Sequence, residues 1–364
     1  MKKIGIVTMI GNENYGNRLQ NYATHFILKK YGNKPITIIN NIRLNNYYSF
    51  FTMLKKRISY LIHIFLIKRD GLEKERIKKF KKFNKNIDFT KICHSVNTVK
   101  YLKCDYYIVG SDQVWKPTYG RLSDMDLLKF AKDKRRISFS ASFGIDNLPE
   151  EFKDRVKREL LKFKSISVRE EAGKNIIKKV DNKIKVDVLI DPTMMLTAKE
   201  WDKLIIKPDL FDKLNGKKYI LNYFLGNLSN SRKKEIERIA KEYDCKIINL
   251  LDRGDPFYTC GPSEFLFLEK NAFLICTDSF HSSVFAILFD RPFVVFDREQ
   301  KGMDNMNSRI DTLIEKFKLK NRRYNGKRIT KENLIHDYSD SFKILEQERK
   351  KTEVFLKKAL EIKK

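Results

Sequence analysis

The stretch FLICTDSFHSSVFAILFDRPFVVF (Phe273–Phe296) carries the reading of the fold. Phe273–Cys276 is a short apolar run of strand length. A polar turn follows, Ser279–Phe289 has an amphipathic helical pattern, and Phe293–Phe296 is a second short apolar run. The same alternation extends outward in both directions. Further strands are expected at Lys3–Met9, Pro35–Asn40, Tyr106–Val109, Arg136–Ala141, Ser165–Val168 and Val186–Ile190, then at Tyr219–Phe224 and Lys246–Leu250. Helical stretches such as Glu151–Phe163 and Ser231–Tyr243 lie between them. Strands alternating with helices predict parallel sheets covered on both faces, an α/β class. Two such runs, before and after about residue 195, predict two doubly wound domains at 1–195 and 196–328, with a charged helical tail at 329–364 that packs back on the first.

Composition agrees with a folded chain. It has 364 residues, 42% of them hydrophobic, enough for a sizeable core. With only 15 Gly and 8 Pro, collagen-like and low-complexity classes are excluded. Lys and Arg exceed Asp and Glu by 29. Such an excess suits a polyanion, an anionic membrane surface or an anionic substrate, and it also suits a general drift toward Lys, Asn and Ile. No zinc-finger, RRM or basic-zipper pattern accompanies it, so nucleic acid is not expected as a partner. The five cysteines form no CxxC pair, which argues against a disulfide framework or a zinc site and for a reducing, cytoplasmic setting. The opening MKKIGIVTMIGNENYG turns polar too soon for a signal peptide and reads as a first strand. No apolar run is long enough to span a bilayer. Tyr47–Lys82 combines an aromatic patch, a basic cluster, the apolar run Tyr60–Ile67 and a lysine-rich helix. It reads either as an interfacial insertion drawn to anionic lipid, which would make the protein peripheral on the inner membrane face, or as a helical hairpin covering the sheet.

In open α/β sheets, ligands bind beyond the carboxyl ends of strands. After the first strand, the polar loop through Asn14, Tyr15, Gly16, Asn17 and Arg18 leads into a helix and can hold an anion or a sugar through backbone N–H groups. It is neither a GxGxxG nor a Walker loop. After Tyr106–Val109 come Gly110, Ser111, Asp112, Gln113, Val114 and Trp115. Asp112 either caps the next turn or faces the cleft as a proton acceptor. After Ser165–Val168, Arg169 either forks onto a carboxylate or phosphate or pairs with a neighbouring acid. After Phe273–Cys276, Asp278 or Ser279 can cap the helix, and His281 lies in its first turn, where the helix dipole favours neutral imidazole unless an anion is bound.

The strings NYGNRLQNYA (14–23), YIVGSDQVW (107–115), ISVREEAG (166–173), IDPTMML (190–196), GPSEFLFL (261–268) and CTDSFHSSVFAILFDRPF (276–293) occur in this order. On them the chain resembles the polysaccharide pyruvyl transferase family from about residue 4 to about residue 317. The resemblance implies a GT-B-like fold, two Rossmann-like domains facing a cleft. It implies phosphoenolpyruvate as donor and a hexose of a cell-surface polysaccharide, or of its undecaprenyl-linked precursor, as acceptor, with a pyruvate ketal as product. No metal or cofactor is implied. By motif, His281 matches the catalytic histidine, Arg169 the donor-binding arginine and Asp112 the acidic residue of the GSD loop. The turn with Ser279, Ser282 and Ser283 would ease phosphate departure, with Arg309 as a secondary cation. Asn14 to Arg18, Gln113 and Trp115 are expected on the acceptor side. Two positions depart from the family pattern, Ser282 where Gly is common and Lys116 where Asn is common, and neither removes a group the chemistry requires. The same fold would also suit a sugar-nucleotide glycosyltransferase.

Overall fold

A computed structural model of the protein describes residues 1–11, 14–40, 70–118, 121–299 and 308–362. Six parallel strands form the first sheet: β1 (Lys3–Val7), β2 (Lys34–Thr37), β3 (Tyr106–Val109), β4 (Arg136–Ala141), β5 (Phe163–Val168) and β6 (Asp187–Val188), in the order β2-β1-β3-β4-β5-β6. Four more parallel strands, β7 (Tyr219–Tyr223), β8 (Lys246–Asn249), β9 (Leu274–Thr277) and β10 (Phe293–Val295), form the second, in the order β10-β9-β7-β8. Every residue of β3, β4, β7 and β9 is buried. Strands covered on both faces read as continuous apolar runs, which is why these were visible in the sequence. Strand order reverses between β1 and β3 in the first sheet and between β7 and β9 in the second, so each sheet opens a crevice there at its carboxyl edge.

The helices that shape the site are α1 (Tyr15–Lys30), α2 (Gly71–Phe83), α3 (Glu150–Leu160), α4 (Glu171–Val180), α5 (Asn230–Glu242), α6 (Pro262–Asn271), α7 (Phe280–Leu288), α8 (Ser308–Lys316) and α9 (Ser339–Ala359). One hydrophobic cluster runs from Ile4 and Ile108 of the first sheet through Tyr15 and Leu19 of α1 to Phe265, Phe285 and Leu221 of the second half. Tyr15 is stacked on Phe265 with centroids 4.5 Å apart and on Phe80 at 5.2 Å. Its hydroxyl donates to the Cys260 carbonyl at 2.8 Å. The two halves therefore share an aromatic core as well as a cleft.

Helix α9 returns to the first half. Arg349 donates to the carbonyls of Met194 and Leu196, and Lys351 to that of Val188. Residues 47–69 of the basic, aromatic segment, with the run Tyr60–Ile67, lie outside the described residues. Its later part is α2, capped by Asp70. Helix α2 buries Glu73 and Arg76 against Tyr258 of the second half, and Phe80 and Phe83 against Tyr15 and Tyr22 of α1. Tyr258 Oη donates to Glu73 at 2.5 Å, and Lys79 Nζ to Glu264 at 2.7 Å. Its other face exposes Lys74, Lys78, Lys81 and Lys82. Among the described residues, no helix is long and apolar enough to cross a membrane.

Candidate active site

The site grows from the carboxyl edge of the first sheet. Gly110, at the end of β3, has φ +114°, and a Cβ there would lie 2.3 Å from the Phe139 carbonyl oxygen, so only glycine fits. The chain then bends through Ser111 to Asp112, whose own φ is +72°. Gln20, buried on α1, accepts from Ser111 N through Oε1 at 3.2 Å and donates to Thr8 at 2.8 Å. Ser111 Oγ in turn donates to Asp191, just beyond β6, and accepts from Asp112 N at 2.6 Å. The other oxygen of Asp191 takes the Thr193 N–H at 3.0 Å and hydroxyl at 2.8 Å. A buried carboxylate is thus fixed by three hydroxyl or amide donors before any cation is counted.

Arg169 supplies the first cation. It leaves β5 with its backbone N–H on Ala141, donates Nη1 to Asp191 at 2.9 Å and Nη2 to Asp112 at 3.3 Å, and lays its guanidinium 4.4 Å above the Phe280 ring. Its Nε has no hydrogen-bond partner. Burial alone would lower its pKa, but Asp112, Asp191 and Glu170 outweigh burial and raise it. Burial likewise opposes ionisation of the two aspartates, and cationic neighbours prevail. Arg169, with His281 and Arg309, holds Asp112 below the usual carboxylate range, and His281, Arg169 and Ser111 do the same for Asp191. Both are ionised at neutral pH.

The second half contributes α7. Its first residues face the cluster, and no side chain caps its N-terminus: Ser279, at the cap position, makes no side-chain cap bond, and its backbone N–H donates to Thr277 Oγ1. His281, in the first turn, places Nε2 3.7 Å from Asp191 Oδ2 and has no hydrogen-bond partner at that nitrogen. The opposite edge of the ring rests on α1. A Cβ added to Gly16 would lie 2.2 Å from His281 Nδ1, so glycine there admits the imidazole. Arg309, near the start of α8, is also buried, and its Nε has no partner. Burial, reinforced by Arg169, pulls its pKa down to about 10. A buried guanidinium with unused donor capacity, near Arg169 and Asp112, can take an anion.

The structure thus brings Asp112, Arg169, His281 and Arg309 together and adds Asp191, Gln20 and Ser111. Asp191 lies in the IDPTMML string, to which no role was given; its signal was an Asp at the carboxyl end of a strand. Other expected residues are placed elsewhere. Tyr15 and Trp115 are fully buried; the Trp115 indole donates to the Asp126 carbonyl at 3.0 Å among Phe143 and Phe163, so neither ring offers a face to an acceptor. Arg18 is fully buried too. It turns to the Met9 carbonyl at 2.9 Å and Asn84 at 3.4 Å, which makes it a brace between α1 and the segment after α2. Asn14 caps α1 by accepting from Asn17 N at 3.2 Å. Gln113 covers Gly144. Ser282 Oγ points away from the cluster, to Glu269 at 2.6 Å, and Ser283 Oγ bonds back to Ser279 O. From this turn the backbone N–H groups and the Ser279 hydroxyl, which makes no cap bond, remain for a ligand.

Asp278 closes the crevice of the second sheet. Its carboxylate accepts from Leu225 N at 2.7 Å, Gly226 N at 2.8 Å and Arg298 Nε at 3.1 Å.

In fold the chain is similar to a proposed UDP-N-acetylglucosamine 2-epimerase from Listeria monocytogenes, with TM-score 0.52 and 11% identity over 96% of this chain and 90% of that one. It is similar also to the UDP-GlcNAc 2-epimerase from Neisseria meningitidis bound to UDP-GlcNAc (TM-score 0.47, 12% identity, 99% and 100% covered) and to MurG from Acinetobacter baumannii (TM-score 0.42, 11% identity, 98% and 94% covered). At this identity the likeness concerns the fold alone, the GT-B arrangement of two Rossmann-like halves about a cleft. No curated protein matches the chain in sequence. The sequence model of the polysaccharide pyruvyl transferases matches residues 14–300. With most of its length so matched, the chain belongs to the polysaccharide pyruvyl transferase family.

Proposed function

We propose that the cleft transfers the pyruvyl group of phosphoenolpyruvate to two hydroxyls of one hexose in a polysaccharide or its lipid-linked precursor, forming a pyruvate ketal and releasing phosphate. The observation that carries this reading is the meeting of Arg169, Arg309 and His281 around Asp112 and Asp191 at the open N-terminus of α7. Phosphoenolpyruvate has a carboxylate and a phosphate on one small frame. Two buried guanidiniums and free helix N–H groups suit both anions.

The chemistry divides among these groups. In this step the imidazolium of His281 delivers a proton to the methylene carbon, with Asp191 3.7 Å from its Nε2. C2 becomes cation-like, and one sugar hydroxyl adds there. Phosphate leaves toward Arg309 and the α7 N–H groups, and the second hydroxyl closes the ketal. Of the two hydroxyl protons, one balances the proton gained by the methylene carbon and the other leaves with phosphate. Asp112, ionised and within reach of Arg169, receives the incoming hydroxyl's hydrogen bond. Acid–base help of this kind contributes about 10²–10⁴-fold. No observation favours the sugar-nucleotide alternative. The Leu225 and Gly226 amides, where the second sheet's crevice would meet a diphosphate, are taken by Asp278.

The test is phosphate release from phosphoenolpyruvate with hexose-containing acceptors, followed by detection of the ketal methyl group by NMR. Formation of the ketal supports the reading. Sugar transfer from a nucleotide sugar, with no ketal from any acceptor, overturns it.

A further inference from the structure

With Tyr15, Trp115 and Arg18 in the core, the acceptor must be held elsewhere. We propose that the cleft between α4 and α8 is the acceptor subsite, and that it takes a neutral glycan segment. This rests on the donor reading above.

The cleft has a volume of about 570 Å³, within the range of small-ligand sites. Its walls continue the segments that carry the cluster: α4 starts two residues after Arg169, and Ser308 immediately precedes Arg309. Its two walls come from different halves of the molecule and are tied by the Glu171 N–H donating to Thr312 Oγ1 at 3.2 Å.

Its chemistry is opposite to that of the rest of the protein. In a chain of net charge +29, Asp146, Glu171, Asp311 and Glu315 line it against two lysines. Both lysines are occupied. Lys178 Nζ donates to the carbonyls of Asn182 and Ile184, each at 2.8 Å, and Lys179 Nζ to Asn147 at 3.1 Å. Asp311 is engaged by Arg323, and Glu171 is paired with Lys174 at 3.8 Å, which leaves Asp146 and Glu315 without an ion pair among the described residues. What remains is a set of hydrogen-bond acceptors with Asn175 among them. The independent observation is Ser308. It lines this cleft, is 9% exposed, and its Oγ has no hydrogen-bond partner. A buried hydroxyl left unpaired is unfavourable unless a ligand completes it. Carboxylates, an amide and an unpaired hydroxyl match the hydroxyls of a sugar. Asp146 and Glu315, the two carboxylates without an ion pair among the described residues, disfavour an acidic sugar at this cleft.

Saturation-transfer NMR on the full chain, with lactose, cellobiose and maltose as neutral probes and glucuronate as the acidic one, tests this. Asn175→Arg fills the cleft and Glu315→Lys reverses its charge, both at exposed positions. At least one neutral disaccharide should give signal in wild type, more strongly than glucuronate, and each variant should weaken it at least ~5-fold, the worth of one good hydrogen bond. Calorimetric titration of phosphoenolpyruvate should be unchanged in both variants. No signal from any neutral disaccharide, signal equal in wild type and variants, or preference for glucuronate overturns the proposal. If wild type fails to bind phosphoenolpyruvate while the disaccharide results hold, the donor reading falls and the glycan cleft stands.

Discussion

Gly16→Ala adds one methyl group at the contact between the two halves. Its Cβ would lie 2.2 Å from Nδ1, 2.6 Å from Cγ and 2.8 Å from Cε1 of His281. Ordinary contacts begin near ~3.5 Å, so the ring must retreat by ~1.3 Å. Because Cγ itself clashes, turning the ring about its last torsion gives no relief; the histidine or the first turn of α7 has to move, and the 3.7 Å approach to Asp191 is lost. Displacing a reacting group by about 1 Å costs ~100-fold in rate, or ~2.7 kcal/mol of barrier. The helix itself gains, since Ala is favoured over Gly inside a helix by about 0.5–1 kcal/mol. The expected result is kcat for ketal formation down ~100-fold with a nearly unchanged circular dichroism spectrum and only a small shift in Tm. Activity within about twofold of wild type would refute the placement of His281 against α1.

Other consequences are independent of that contact. Arg309→Ala should weaken phosphoenolpyruvate binding by about 10- to 150-fold, the value of a charge-assisted contact, while leaving Tm unchanged or raised, because a guanidinium whose burial lowers its pKa is removed; isothermal titration and thermal melts read both. His25 donates Nε2–H to Thr37 at 2.8 Å, since the Thr37 hydroxyl is itself donated to Asn21. Burial, then Lys29, lowers its pKa to about 3 despite Asp88. Its neutral form is the folded one, so the contribution is present above the unfolded value near 6.5 and is lost as pH falls; about 1.5 kcal/mol should disappear between roughly pH 6.5 and 5, and His25→Gln should flatten that slope in denaturant titrations. Glu269 is fully buried with only Ser282 on one oxygen, and burial raises its pKa far above the usual carboxylate range. Its stability contribution is present at low pH and fades as pH rises, so Glu269→Gln should raise Tm more at pH 8 than at pH 5. The lysines exposed on α2, at 74, 78, 81 and 82, should draw the protein to phosphatidylglycerol vesicles and not to phosphatidylcholine vesicles, with binding abolished at high salt and weakened when the four are changed to Gln.

All ten strands announced by the sequence are present within a few residues of their expected bounds; β3, β4, β7 and β9, buried throughout, have no polar face to disguise them, while β2, β6 and β8 keep exposed residues. Asp112, Arg169 and His281 were legible for a related reason: each follows such a strand, where α/β sheets expose their ends. Tyr15 and Trp115 were misleading because an aromatic in a polar loop looks like a sugar platform until the partner surface is known. Tyr15 is claimed by Phe265 and Phe80, far away in sequence, and Trp115 by Phe143 and Phe163. The Ser282 departure has a local cause that no spacing reveals: its hydroxyl is held by Glu269 on α6. The α4–α8 cleft was invisible for the same reason, since its walls are brought together only by the docking of the two halves.

The account stands most directly on the donor site. Titration calorimetry of phosphoenolpyruvate, inorganic phosphate and a UDP-sugar into wild type, Arg169→Ala and Arg309→Ala would decide it. Saturable phosphoenolpyruvate binding at least ~10-fold tighter than phosphate, the worth of ~1.4 kcal/mol for the added carboxylate, and lost in both variants, is the predicted result. Phosphoenolpyruvate binding no tighter than phosphate, or undiminished without the two arginines, or a UDP-sugar bound in its place, would contradict it.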